Sequence, residues 1–168
     1  MKILILFLAQ LLYLNAIGQS ITINAVVDIT FPANTEVLTP SRRAAVKWPD
    51  SSFDLIESPG VVGFADSVII IANAAAGPVN RRGVYEMKAG LDEVYGWEPP
   101  PNYMSAIQNI KGNQVLIIYY ERENLGYYHY YTYTNGAGLV GRLEFQSRNK
   151  SKATMILNQL LGSIKFKL

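Results

Sequence analysis

The stretch from Gln114 to Gln146 reads QVLIIYYERENLGYYHYYTYTNGAGLVGRLEFQ, and its interpretation decides the fold. Seven of the chain's eleven tyrosines fall between Tyr119 and Tyr133. β-Branched and aromatic residues alternate with turn-forming residues, the pattern of a three-stranded antiparallel meander. A tight turn over Glu123 to Gly126 would set Tyr119 opposite Tyr131, Ile117 opposite Tyr133 and Glu121 opposite His129. Leu116, Ile118, Tyr120, Tyr128, Tyr130 and Thr132 would then share the other face, which the Asn135-Gly136 hairpin continues into Leu143 and Phe145. That second face is the expected core. The first, with Tyr119, His129, Tyr131, Tyr133, Arg142 and Glu144, is the candidate ligand- or partner-binding surface. Tyrosine offers contact area at low entropy cost and a polar tip. The same residues also pack well beneath a helix, and a one-residue slip would exchange the faces.

Outward from this stretch, Tyr103 to Ile110 and Gln114 to Glu121 are expected to form a hairpin about Lys111-Gly112-Asn113. Gly96 to Asn102, with Trp97 and three consecutive prolines, must be an extended loop. Trp97 is a second candidate for partner contact. Before it, a helix is expected over Gly90 to Tyr95. Val61 to Ala76 contains SVIIIANA, expected to be a strand covered on both faces. Ser41 to Trp48 is compatible with a strand or a helical turn, Pro49 to Ser52 with a turn, and Phe53 to Ile56 with a short strand. Ile21 to Phe31 alternates cleanly, with Ile21, Ile23, Ala25, Val27, Ile29 and Phe31 on one face, and is expected to be one half-buried strand. At the other end, Ser147 to Leu161 should form a helix with Ala153, Ile156, Leu157, Leu160 and Leu161 as its apolar stripe. Asn149 or Ser151 is the expected cap, Gly162 the left-handed stop, and Ser163 to Lys167 a final strand.

The first residues read as an export signal. Lys2 precedes roughly a dozen apolar residues, Ile3 to Leu14, and Ala16-Ile17-Gly18 supplies small residues before Gln19. The run is shorter than the roughly 18 residues a membrane anchor needs. The division is therefore a signal peptide over 1–18 and one domain over 19–168, exported to a periplasmic or extracellular space. The formal charge of +2 offers no basic footprint for nucleic acid. With no cysteine, the chain has neither disulfides nor thiolate metal ligands.

The opening Ile29-Thr30-Phe31-Pro32, the Gly141-x-Leu143-x-Phe145 strand, the amphipathic helix and the closing Ser163-Ile164-Lys165-Phe166 carry a resemblance. In this order of elements the chain resembles the PsbP-like α/β/α sandwich superfamily, which includes photosystem accessory proteins and small secreted bacterial domains. The resemblance implies an α+β fold: a single antiparallel sheet of six or seven strands with helices on both faces. It implies accessory or binding roles and brings no functional motif with it.

The chemical census points the same way. A single histidine, His129, cannot build a multi-histidine metal site, and neither a Gly-x-Ser-x-Gly elbow nor a phosphate-binding glycine loop occurs. No metal or cofactor is expected. Arg42-Arg43 and Arg81-Arg82 are candidate anion contacts. Paired carboxylates drawn from Glu121, Glu123 and Glu144 keep an envelope hydrolase open as an alternative, and an exported structural subunit is another. The expectation is a non-enzymatic binding domain for a protein or small molecule.

Overall fold

The computed structural model describes residues 18–24, 27–46, 60–75, 83–134 and 137–167. In chain order the strands are β1 (Gln19–Asn24), β2 (Val27–Phe31), β3 (Glu36–Val37), β4 (Val61–Ala65), β5 (Val68–Ala74), β6 (Met104–Ile110), β7 (Asn113–Arg122), β8 (Leu125–Thr134), β9 (Ala137–Gln146) and β10 (Lys165–Phe166). The helices are α1 (Pro40–Ala45), α2 (Gly83–Gly96) and α3 (Lys150–Ser163). A seven-stranded antiparallel sheet runs in the order β3-β4-β5-β9-β8-β7-β6, and a three-stranded sheet in the order β1-β2-β10. The α+β expectation of a six- or seven-stranded antiparallel sheet with helices on both faces is borne out; the small second sheet is an addition to it.

Two-residue turns organise the large sheet. Asp66-Ser67, Lys111-Gly112 and Glu123-Asn124 each hold both residues at positive φ, between 49° and 87°. Such turns match the right-handed strand twist and so close hairpins directly. The expected strand over Val61 to Ala76 is therefore two, β4 and β5, folded about Asp66-Ser67, with Val61 opposite Ala72. In β5, Val68, Ile70 and Ala72 enter the main core while Ile69 and Ile71 enter a second cluster with Leu38 and Val62, so both faces are covered as expected.

The Glu123-Asn124 turn also corrects the meander. Tyr119 lies opposite Tyr128 rather than Tyr131, and His129 opposite Ile118 rather than Glu121. The offset is three residues, an odd number, so every β7 side chain changes face relative to β8. The pairing of β8 with β9 places His129 opposite Arg142 and Tyr128 opposite Leu143, and these faces fall as expected. The connecting Asn135-Gly136 lies outside the described residues.

One face of the sheet builds the main core. Val115, Tyr119, Tyr128, Tyr130, Leu139, Leu143 and Phe145 pack there with Val27, Ile29 and Phe31 of β2 and with the stripe of α3. That stripe is Ala153, Ile156, Leu157, Leu160 and Leu161, all buried, as its spacing predicts. Glycines admit the rings: at Gly141, opposite Tyr130, an added Cβ would sit 2.2 Å from the tyrosine Cζ. At Gly126, opposite Phe145, it would sit 2.4 Å from that ring.

Several local expectations change. The expected strand Ile21 to Phe31 is a hairpin, with Ile21 opposite Ile29. Paired residues share a face, so alternation continues in phase through the connection and the pattern cannot see it; Ala25 lies outside the described residues. Ser41 to Trp48 contributes a helix, capped by Thr39 and started by Pro40. Trp48, Pro49 to Ser52 and Phe53 to Ile56 lie outside the described residues. The helix expected over Gly90 to Tyr95 begins earlier, at Gly83. Asn149 makes no side-chain cap bond to α3; a 3₁₀ turn, Ser147–Asn149, leads into the helix instead. Gly162 is not left-handed but lies within α3, which runs to Ser163 with Ile164 as its C-cap. The final strand is shorter than expected, Lys165–Phe166, paired with β2.

Candidate functional site

The opposite face of the large sheet carries two helices with a strip of sheet between them. On one side, Leu38, Val62, Ile69 and Ile71 cluster with Val46 and Phe64 beside α1. On the other, α2 lays Val84, Met87 and Leu91 over Leu116, Ile118 and Ile107, with Tyr103, Tyr120, Tyr131 and Tyr133 around them. The strip consists of Tyr127, His129 and Tyr131 from β8 and of Val140, Arg142 and Glu144 from β9. Cross-strand pairing sets Tyr127 against Glu144, His129 against Arg142 and Tyr131 against Val140.

The rings form a continuous row. Tyr127 and Tyr120 stack at 5.0 Å between centroids, Tyr120 and His129 at 5.6 Å, and His129 and Tyr131 at 6.4 Å. Tyr95 of α2 extends the row, 6.1 Å from Tyr120 and 5.0 Å from Tyr103. The Tyr120 hydroxyl and His129 Nε2 are 3.2 Å apart, within hydrogen-bond reach. Burial, with the Arg142 charge second, pushes His129 down to about 4, so the ring is neutral at pH 7. Burial likewise pushes the Tyr120 hydroxyl up to about 12.

Beside the row, Arg142 and Glu144 form an ion pair at 2.5 Å, their side chains 17% and 1% exposed. Burial raises the Glu144 carboxyl above its ordinary value, outweighing the attraction of the guanidinium. Its Oε1 faces Arg142, while its buried Oε2 has no hydrogen-bond partner among the described residues. Below α2, Asp92 is saturated: Lys88 pairs with it, Tyr103 donates at 2.7 Å and Ser105 at 2.5 Å. Lys88 first and Ser105 second hold its carboxyl down at about 2. These bonds fix α2 to β6 and hence the position of Tyr95 along the row.

Of the residues singled out by sequence, the fold brings His129, Tyr131, Tyr133, Arg142 and Glu144 to this face. Tyr119 is on the other one, 1% exposed, its hydroxyl donating to Glu121 and its ring beneath the Lys150 ammonium at 3.8 Å. Its place is taken by Tyr120, and Tyr95, Tyr103 and Tyr127 were not singled out at all. The signal for Tyr120 and Tyr127 was Asn124, a residue that tolerates the left-handed region and marks a two-residue turn. Trp97 stands just past α2, 91% exposed and apart from the row.

The remaining candidates are dispersed. Glu121 and Glu144 occupy opposite faces of the sheet, since Glu121 lies opposite Gly126 and Glu144 opposite Tyr127. A carboxylate pair drawn from them would be split by the sheet. Arg42 is paired with Glu36 at 3.0 Å, and Arg43 donates to the Gly60 carbonyl at 2.8 Å. Arg81-Arg82 lie outside the described residues. A separate half-open cavity of about 700 Å³ lies on the α3 side, bordered by Pro32, Asn34, Asp66, Lys152 and Gln159. It contains none of the candidate binding residues, and Asn34 donates to Asp66 there at 2.8 Å.

No protein-family model and no curated protein matches the chain. Solved structures do. A crystal structure of a protein from Bacteroides thetaiotaomicron VPI-5482 matches with a TM-score of 0.58 at 8% identity, covering 90% of this chain and 49% of that one. This chain thus spans about half the length of the Bacteroides protein. The solution structure of cyanobacterial PsbP (CyanoP) from Synechocystis sp. PCC 6803 matches with a TM-score of 0.54 at 8% identity, over 90% of this chain and 94% of the other. At such identities the likeness concerns the fold, and the chain has a PsbP-like fold.

Proposed function

We propose that the chain is an exported, non-enzymatic binding domain whose recognition surface is the strip between α1 and α2. The observation that carries this reading is the stacked row Tyr127–Tyr120–His129–Tyr131 alongside the buried Arg142–Glu144 pair. Placing two charges under cover costs stability relative to an apolar pair of the same size. The aromatic row supplies flat apolar contact. Arg142, its side chain 17% exposed, brings a cation already paired with Glu144, and Glu144 Oε2 is an acceptor without a donor among the described residues. A ligand that combines an apolar or aromatic body with a hydrogen-bond donor fits this set. The fold shared with cyanobacterial PsbP is compatible with an accessory role.

Glu121 and Glu144 lie on opposite faces, and Glu123 sits in the exposed β7–β8 turn beside Arg122, which tells against the carboxylate hydrolase. The test compares wild type with Tyr131→Ala and Arg142→Gln, each verified as folded by circular dichroism. Each is immobilised and exposed to envelope extract and culture medium. Species retained by the wild type and lost by both variants are expected. Identical retention by all three would sink the reading.

A further inference from the structure

The seven-stranded sheet ends on β6, which pairs with β7 on one side and with no described strand on the other. Open edges are usually blunted by charge, proline, a bulge or brevity. β6 has none of these. It reads MSAIQNI over seven residues, without a charged residue or proline. Its register with β7 is unbroken from Met104–Tyr119 to Ile110–Asn113. Its side chains are exposed or half-buried throughout, and Met104 is 60% exposed. The opposite edge, β3, is by contrast two residues long and carries Glu36.

The two-residue Lys111-Gly112 turn fixes which backbone groups are free. Ile110–Asn113 closes the hairpin as a hydrogen-bonded pair, so the alternation of an antiparallel ladder turns Gln108, Ala106 and Met104 toward β7. The amides and carbonyls of Ser105, Ile107 and Asn109 therefore point outward.

We infer that β6 pairs with β6 of a second copy of this chain, antiparallel about a two-fold axis at Ile107, joining two sheets into one. In this register Ile107 meets its own counterpart, Ser105 meets Asn109, Ala106 meets Gln108 and Met104 meets Ile110. Ser105 meets polar Asn109, Ile107 and the apolar ends meet apolar residues, Gln108 meets the small Ala106, and no charge is opposed to a like charge. The three outward-facing residues give about six ladder hydrogen bonds over about 24 Å of strand. This self-complementarity is what an isologous contact requires, and it favours a second copy over a foreign strand. α2 runs beside the same edge, with Tyr85 56% exposed and its hydroxyl accepting from Gln114, so the helices of the two copies flank the joint. The inference is independent of the ligand-binding reading.

Sedimentation velocity of the purified protein from about 1 to about 500 μM is expected to show a concentration-dependent dimer. Asn109→Pro removes one outward amide while leaving the β7 ladder intact, and should weaken the dimer at least about tenfold. Hydrogen exchange on the wild type reads the same contact directly. The amides of Ser105, Ile107 and Asn109 should slow as concentration rises, and this decides the matter even if Asn109→Pro fails to fold. A monomer across the whole range, or a dimer in which those three amides exchange as in dilute protein, overturns the inference.

Discussion

Tyr130 shows how tightly single residues are specified in this sheet. Its ring lies against Gly141, fully buried, and its hydroxyl donates to the Ile71 carbonyl at 3.1 Å. A methyl at position 141 would meet both that ring and the Ile71 carbonyl, the latter at 2.3 Å. Gly141→Ala should therefore cost about 1–3 kcal/mol through overpacking. Tyr130→Phe, which removes only a hydrogen bond, should cost about 1 kcal/mol. Urea unfolding measures both, and a Gly141→Ala variant as stable as wild type would contradict this assignment. His129 makes a second prediction. Its proton affinity is lowered in the folded state, to about 4 from 6.5. Between those values the unfolded chain binds the proton more readily, so stability is present above pH 6.5 and lost as pH falls toward 4. The loss should be on the order of 1–3 kcal/mol and should be absent in His129→Gln. Glu144 works in the opposite sense. Its raised carboxyl affinity favours folding at low pH and withdraws that support as pH rises above the unfolded value.

At the level of elements, the Glu123-Asn124 turn decides which tyrosines meet. Both residues sit at positive φ, 50° and 66°. That conformation costs an ordinary L-residue roughly 1–2 kcal/mol, and Asn tolerates it better than Glu. Glu123→Asn should thus stabilise the protein by about 0.5–1 kcal/mol, read as a rise in Tm of about 1–4 °C. A fall in Tm would mean the turn is not of this type. α3 is the counterpart on the core side: its stripe was legible because period 3.6 and burial agree from Ala153 to Leu161. Leu160→Ala should cost about 2–5 kcal/mol, since Leu160 is fully buried in the main core. The Asp92 cluster ties α2 to β6, and stability gained there is lost as pH falls below the ordinary carboxylate range toward 2.

Among the described residues no helix is long and apolar enough to cross a membrane. The proposed export rests on the N-terminal sequence, and β1 begins at Gln19, so cleavage there would leave every described strand in place. Mass spectrometry of the exported protein should find an N-terminus near Gln19; a retained Met1 would defeat the proposal.

By itself the sequence determined the strand-rich meander, the stripe of α3 and the α+β class, because each rests on local periodicity that burial reinforces. It also determined that His129, Arg142 and Glu144 share a face, through a β8–β9 register that the structure keeps. What it could not determine was parity across turns. The hairpin of β1 and β2 leaves the alternation in phase and so was invisible. The Glu123-Asn124 turn shifts the register by an odd number, sending Tyr119 to the core and Tyr120 to the aromatic row. Side chains alternate strictly along a strand, so only the three-dimensional pairing could decide which tyrosines join the main core and which line the opposite face.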